Sequence, residues 1–536
     1  MNRLKESFTA VARHLVQLAQ STIPASDAKS VSVIIVALAV WLAVVLLTSA
    51  RHEFWRDEVR ALSLARAAAS PLDLYDLTKY DGHPVLWFLL LYAGRSIIDT
   101  PLVLPVMSVI IGFAGAAVFM FFSPFQLWVR LLFVFGAFSV YEYSVMARNY
   151  GISMLLFFVS AVLYEKRTKH PLLLAFVLAL LANTNVHSAI FVCLITFVWV
   201  WDLIAAQRAT PSRLRESRIW LPFLIVFVGV LSCAIFTVPR DNTILTSVRH
   251  SFDVAELTGA LFQAARHPEV TFAKIVPTAL PPWIVTALLY LAVLGLIRRP
   301  SLFLAALGGL IVFGVLARMV FPSGYRHQGL FLVFLLFLYW LYLRSPRTGA
   351  MTHATRAPFR VGFYGAMLVL ILVSVFEAKD LVLADIKGER SSSRAFGQFL
   401  EESEAYRDAI IVPEPDYLLE SLPYYTSNLI YLPREHRFGT TVSWTTESDS
   451  ALSLGNVLSI ARDLDLQYDR PVLIVLGHRQ IDQDGANQID FSFEKTFSWT
   501  SEDLDDLNDA TTIVADFTSA FTDENYRVYA LDSHQP

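Results

Sequence analysis

The sequence predicts a polytopic α-helical membrane protein that ends in a soluble α/β domain, and three observations carry that prediction. The 536 residues are 55% hydrophobic and only 17% charged, with a mean hydropathy of +0.50. A soluble chain of this size would carry more charge. Apolar runs long enough to cross a bilayer, which takes about 20 residues, recur from residue 31 onward. That pattern stops near Asp380, where short apolar segments begin to alternate with helix-like ones. The net charge of -4 says nothing about nucleic acid, no cluster of Lys and Arg points to it, and no nucleic-acid partner is expected. Cys193 and Cys233 each sit inside an apolar run, as small buried hydrophobes rather than a disulfide or a metal site.

Met1–Ser30 places Arg3, Lys5, Arg13 and Lys29 ahead of the first apolar run, 31–50. Thr48-Ser49-Ala50 has the look of a signal cleavage site, but the run of about 19 residues exceeds the roughly 7–15 of a signal core. An uncleaved helix with a cytoplasmic N-terminus is expected. Further candidate spans are 101–122, 125–146, 151–165, 171–186, 188–204, 219–238, 282–297, 301–320, 328–344 and 361–379. Lys and Arg collect in cytoplasmic loops, which assigns Lys166-Arg167-Lys169, Arg208 to Arg218, Arg298-Arg299 and Arg344 to Arg360 to the inside. The turn Ala147-Arg148-Asn149-Tyr150 then lies outside.

The stretch His83–Ile98 is about 16 residues long, contains Arg95, and would reverse the side of every later basic loop if it spanned. It is expected to lie in the interface on the outer face. The segment Asp57–Ala69 is expected to be a second such helix, with Arg60 and Arg66 set against Val59, Leu62 and Ala65. The result is a transmembrane domain at 31–379 with about eleven spans and an outer first loop at 51–100. A second outer loop, 239–281, carries Arg240, Asp241, Arg249, His250, Arg266, His267 and Lys274. In the 380–536 domain, Ala409–Val412, Leu429–Leu432, Pro471–Leu476, Thr512–Ala515 and Arg527–Leu531 read as strands, and Ser393–Glu402 and Leu452–Asp463 as helices. That domain has no Gly-rich phosphate loop and no His/Cys cluster, so no chemistry of its own is assigned to it. No internal repeat is present.

Polar residues in or beside membrane helices are costly and usually functional. Those of this chain gather at the expected outer ends: Asp57, Glu58, His83, Glu142, Arg148, Asn183, Asn185, His187, Arg326 and His327. Each has a plain structural reading. Asp57 would cap the helix it opens, and His83 would cap one with Pro84 in its first turn. Arg148, Arg326 and His327 would reach lipid headgroups, and Asn183 and Asn185 would bridge helices; His187 fits either role. Their convergence on one side favours a site. Glycosyl transfer from a lipid-linked donor fits such a site. The departing phosphate needs cations where its charge grows, and the acceptor hydroxyl needs one carboxylate as base. A single displacement inverts the anomeric centre.

The order Trp-Arg-Asp-Glu after the first span, Gly-His-Pro-Val-Leu-Trp at the next helix and Ala-Arg-Asn-Tyr after a third span resembles the GT-C glycosyltransferases. The nearest branch is that of the protein O-mannosyltransferases, aminoarabinose transferases and rhizobial galacturonosyl transferases. The resemblance covers roughly residues 30–345. It implies a bacterial inner-membrane enzyme with a polyprenyl-phosphate sugar as donor and a lipid, glycan or protein as acceptor; the topology set by the basic loops, with the C-terminus outside, then makes the 380–536 domain periplasmic. It implies Asp57 as the base, Glu58 as its partner, and juxtamembrane helices in the first outer loop. His83, Arg148, Tyr150, His187, Arg326 and His327 form the expected substrate-binding set. The family's His-Pro-Pro motif falls on His83-Pro84, with Val85 in place of its second proline. The superfamily admits a divalent metal, and Asp57, Glu58, His83 and His187 would be its ligands, although their spacing carries no ligand signature. Two other classes compete. A transporter or flippase for a lipid-linked or anionic solute would show mid-depth ionisable residues and interrupted helices in two related halves, and neither is legible. A non-catalytic scaffold with a glycan- or partner-binding outer domain would leave the acid pair without a purpose.

Overall fold

The computed structural model describes residues 28–207, 220–238, 242–243, 253–276, 280–345, 357–388, 390–477, 481, 487–491 and 495–532. Arg3, Lys5, Arg13, the loop Arg208 to Arg218, Arg240, Asp241, Arg249, His250 and most of the loop Arg344 to Arg360 lie outside them. The chain divides into two compact units. One joins Met1–Leu47, Pro105–Ile235 and Asp253–Val382; the other joins Thr48–Leu104, Phe236–Phe252 and Leu383–Pro536. The first loop therefore groups with the C-terminal domain rather than with the helices that flank it.

Among the described residues, six helices are long and apolar enough to cross a membrane: Val31–Arg51, Val103–Phe122, Val186–Ala206, Pro300–Met319, Tyr325–Leu343 and Ala357–Lys387. This corrects the expected eleven spans. Tyr150–Glu165, Pro171–Ala182, Leu221–Thr237 and Pro282–Leu294 are apolar but shorter. The helix at 171 stops at Ala182, where the Asn183 amide donates to the carbonyls of Ala179 and Gly229. The stretch 125–146 is broken outright. It is α-helical over Leu127–Val134 and becomes a π-turn over Phe138–Glu142, a local form that concentrates at functional sites. An interrupted helix is therefore present after all.

Tyr325–Leu343 is the hub of this unit, buried continuously from Gln328 to Tyr342. A helix apolar on every side belongs inside a bundle, and its rings stack on those of its neighbours, as Phe334 does on Phe191 at 4.4 Å. Elsewhere two backbones nearly touch. A Cβ on Gly362 would lie 2.6 Å from the Leu291 carbonyl oxygen and 2.7 Å from Gly295 N, so only glycine permits that crossing.

In the second unit, the first loop holds helices Arg56–Ala67, Asp73–Leu77 and Leu86–Arg95. The last has 10 residues, about 15 Å at 1.5 Å per residue, half of a hydrocarbon core. Arg95, the charge inside that apolar stretch, donates to the carbonyls of Arg66 and Ala68 at 2.7 Å each. It thereby satisfies orphan carbonyls at the end of the acid-pair helix.

The C-terminal domain is built on a four-stranded sheet. Ile410–Glu414 runs parallel to Val472–Gly477, which pairs antiparallel with Tyr526–Leu531, which pairs antiparallel with Thr511–Phe517. Its strands coincide with four of the five apolar segments singled out above; the fifth, near Leu432, forms only a two-residue ladder with Arg437–Phe438. Alternate side chains face opposite sides. Ile410, Val412, Ile474 and Leu476 pack with Val457 and Leu458 of helix Leu454–Tyr468. Ile411, Leu473 and Val475 pack with Phe396 and Leu400 of helix Ser393–Glu402.

Candidate functional site

The acid pair opens helix Arg56–Ala67, with Trp55 as the cap residue. Asp57 is thus the second helical residue and not the cap, and its side chain is half-buried. The capping is done by other carboxylates. Glu58 accepts from the Trp55 N–H at 3.2 Å, and Glu524 of the C-terminal domain accepts from the Arg56 N–H at 3.0 Å. Both satisfy first-turn donors that the helix itself leaves orphaned.

Consecutive helical residues point about 100° apart, and the two acids diverge accordingly. Glu58 is fully buried. Its Oε2 lies 2.8 Å from His52 Nε2, while His52 Nδ1 lies 2.6 Å from Asp385 Oδ2. Ionised carboxylates only accept hydrogen bonds, so both ring nitrogens donate and His52 is an imidazolium. Burial opposes that charge, but Glu58 and Asp385 overcome it and raise His52 to about 10. His52 therefore adds stability in full below its ordinary value near 6.5, and the contribution is lost as pH climbs through about 10. Glu58, a candidate metal ligand in the sequence, thus meets His52.

His83 sits in the turn before helix Leu86–Arg95, whose cap is Val85, so His83 is not the cap either. Gly82 adopts φ of 65°, a left-handed conformation that costs glycine little. His83 Nδ1 is 2.7 Å from the Asp81 carbonyl oxygen and so donates to it, which turns Nε2 toward other partners. Arg60 joins the two motifs: its Nε donates to the Asp81 carboxylate and its Nη1 to Glu420 of the C-terminal domain.

In the membrane unit, Arg326, His327 and Tyr325 begin the hub helix. Phe138 stacks on Tyr325 at 4.7 Å, and Tyr143 donates to the Arg326 carbonyl oxygen at 2.6 Å. The π-turn thereby seats the start of the hub helix. Its last residue, Glu142, is buried, with Oε2 3.5 Å from Arg326 Nε. Gly324 N–H donates to His327 Nδ1 at 2.9 Å, and His327 Nε2 lies 2.7 Å from the Tyr150 hydroxyl. A backbone N–H can only donate, so Nδ1 accepts and the proton is assigned to Nε2. The ring is thereby held between the Gly324 N–H and the Tyr150 hydroxyl. His187 stacks on His327 at 4.7 Å, and the Arg148 guanidinium lies 5.7 Å from the Tyr150 ring centre. Asn185 bonds Ser153 and the Ser188 N–H, and Asn183 bridges to Gly229 and Ser232. Both asparagines are interhelical links, as their plain reading had it.

The structure thus gathers Arg148, Tyr150, His187, Arg326 and His327 in the first unit, and Asp57, Glu58 and His83 in the second. Tyr143, His52, Asp385 and Glu420 were not assigned to the site from sequence, and Glu142, gathered there with the other polar residues, was given no role. The polar position of Glu142 in an apolar run was the one available signal; the other four are paired through contacts distant in the chain. Among the described residues no group of three or more His, Cys, Asp or Glu side chains is placed to hold a metal ion. The four candidate ligands do not fit one, since Glu58 is bound to His52 and His187 is stacked on His327. No family model matches the chain, and no curated protein matches it.

Arg56 and Arg60 each face two carboxylates, Asp523 with Glu524 and Asp81 with Glu420. Burial raises Glu420 and Glu524 to about 7 despite the arginines. The folded protein thus holds protons that an unfolded glutamate, with its ordinary value of 4.5, has released. The share of stability set by these two groups therefore falls as pH rises from about 4.5 to about 7. The melting temperature of the solubilised protein should show that fall, and Glu524→Gln should make it shallower. An unchanged slope in the variant would rule the assignment out.

Proposed function

We propose that the protein is an inverting glycosyltransferase of a bacterial inner membrane. It moves a sugar from a polyprenyl-phosphate carrier to a lipid, glycan or protein acceptor outside the cytoplasm. The observation that carries this reading is the buried Glu142 beside Arg326 at the head of the hub helix. A charged pair inside an apolar bundle is expensive unless it serves a charged ligand. Glu142 keeps the guanidinium oriented, and the Tyr143 hydroxyl holds its backbone. In the transfer step the acceptor oxygen bonds to the anomeric carbon, and its proton passes to Asp57. The bond from that carbon to the phosphate oxygen breaks, and its electron pair stays on the phosphate. Arg326 and Arg148 stabilise the charge that grows there. The motif order around Asp57, His83 and Arg148 supports the same assignment.

The broken segment Leu127–Glu142 favours a second reading, a transporter or flippase, because substrate sites in transporters are built from discontinuous helices. The two readings part in vesicles. With purified protein and polyprenyl-phosphate hexoses, a transferase releases polyprenyl phosphate when an acceptor extract is added, whereas a flippase moves the lipid between leaflets unchanged.

A further inference from the structure

Helix Arg56–Ala67 is stationed by the C-terminal domain through its side chains as well as its cap. Arg60 lies one turn beyond Asp57, so the two share a helix face. The Arg60 guanidinium is held on three sides: by Asp81, by Glu420, and by the Val442 carbonyl oxygen at 3.1 Å from both Nη1 and Nη2. The Trp444 ring lies over it, 5.6 Å from the guanidinium carbon. Glu420 is itself buried and fixed, since it also accepts from the Val442 N–H at 2.9 Å. Through this one arginine, the acid-pair helix, the turn carrying Gly82-His83-Pro84 and the C-terminal domain are tied at a single node.

We infer that Glu420 is a positioning residue for transfer. By fixing Arg60 it holds Asp57 and His83 in one register, and holding that register is the work of the C-terminal domain. A carboxylate suits the task because the Nη1 hydrogen bond to it is charge-assisted, and Glu420 Oε1 is itself aimed by the Val442 N–H. Removing it releases the guanidinium into a buried setting with one fewer partner. The first turn of the helix then rocks on its remaining contacts, and misplacement of a reacting group by about 1 Å is enough to cost on the order of 10²-fold in rate.

The inference rests on the transferase reading, so its test has one arm that needs no activity. Hydrogen–deuterium exchange of the full-length solubilised protein should show the amides of 56–67 and 80–86 exchanging faster in Glu420→Gln and Glu420→Ala. The central strands Val472–Gly477 and Tyr526–Leu531 should stay protected. In vesicles, kcat should fall roughly ten- to a hundredfold, with KM for the lipid donor within about twofold of wild type. Arg60→Gln combined with Glu420→Gln should be no slower than the slower single variant, as expected of groups acting as one unit. Unchanged exchange at 56–67 and 80–86 would overturn the inference, and so would an unchanged kcat or a loss of protection across the sheet as well. A wild-type protein that transfers nothing would defeat the transferase reading alone, leaving the exchange result to decide whether Glu420 holds the node.

Discussion

Asp57→Asn is expected to cut sugar transfer by roughly 10²–10⁴, the usual worth of a positioned general base, while leaving the amount of folded protein unchanged. Asn keeps the size of Asp and cannot take a proton. The helix start does not depend on Asp57, because Trp55 occupies the cap position and Glu58 and Glu524 accept the first-turn N–H groups. Glu58→Gln is the contrasting variant. Glu58 is buried against His52, so its replacement should lower stability and cost less in turnover at matched protein levels. The measurement is release of polyprenyl phosphate in vesicles, normalised to folded protein. Near wild-type turnover by Asp57→Asn would rule out the mechanism. A larger turnover loss in Glu58→Gln would move the base to Glu58.

Arg326→Ala should lower kcat by about 10²–10³, the scale seen when one preorganised donor is removed from a developing negative charge. It should also raise KM for the lipid donor, since part of the contact exists before the bond breaks. Arg326→Lys should recover little of this. The guanidinium meets Glu142 through Nε, 3.5 Å from the carboxylate, and a lysine has no nitrogen at that place in its chain. If Arg326 served only as a membrane anchor, lysine would replace it fully and activity would follow folding alone. Equal rates for Arg326→Lys and wild type would therefore remove Arg326 from the site.

Much of the C-terminal domain was legible in the sequence. Ile410–Glu414, Val472–Gly477, Thr511–Phe517 and Tyr526–Leu531 announce themselves as apolar runs between turn residues, and Ser393–Glu402 matches its helical pattern at both ends. The span count was less legible, because hydropathy measures composition and not continuity. Residues 125–146 are apolar enough to span, yet the helix breaks on either side of Gly136. A Cβ there would lie 2.7 Å from the Ser374 hydroxyl oxygen, a contact made by a residue more than two hundred positions away.

The sequence by itself determined that this chain belongs in a membrane, and it marked Asp57, Glu58, Arg148 and Arg326 as charges too costly to be idle beside apolar helices. Local rules suffice for that, since burial cost is a property of each side chain. Only the tertiary structure decided what those charges do to one another. Glu58 turns to His52, which also meets Asp385, while Arg60 turns to Asp81 and Glu420, and Arg326 to Glu142. The tautomer of His327 is set by a backbone N–H three residues away. The physical reason is common to all of these: the state of an ionisable group is set by which donors and acceptors surround it once water is excluded, and most of those neighbours come from distant parts of the chain.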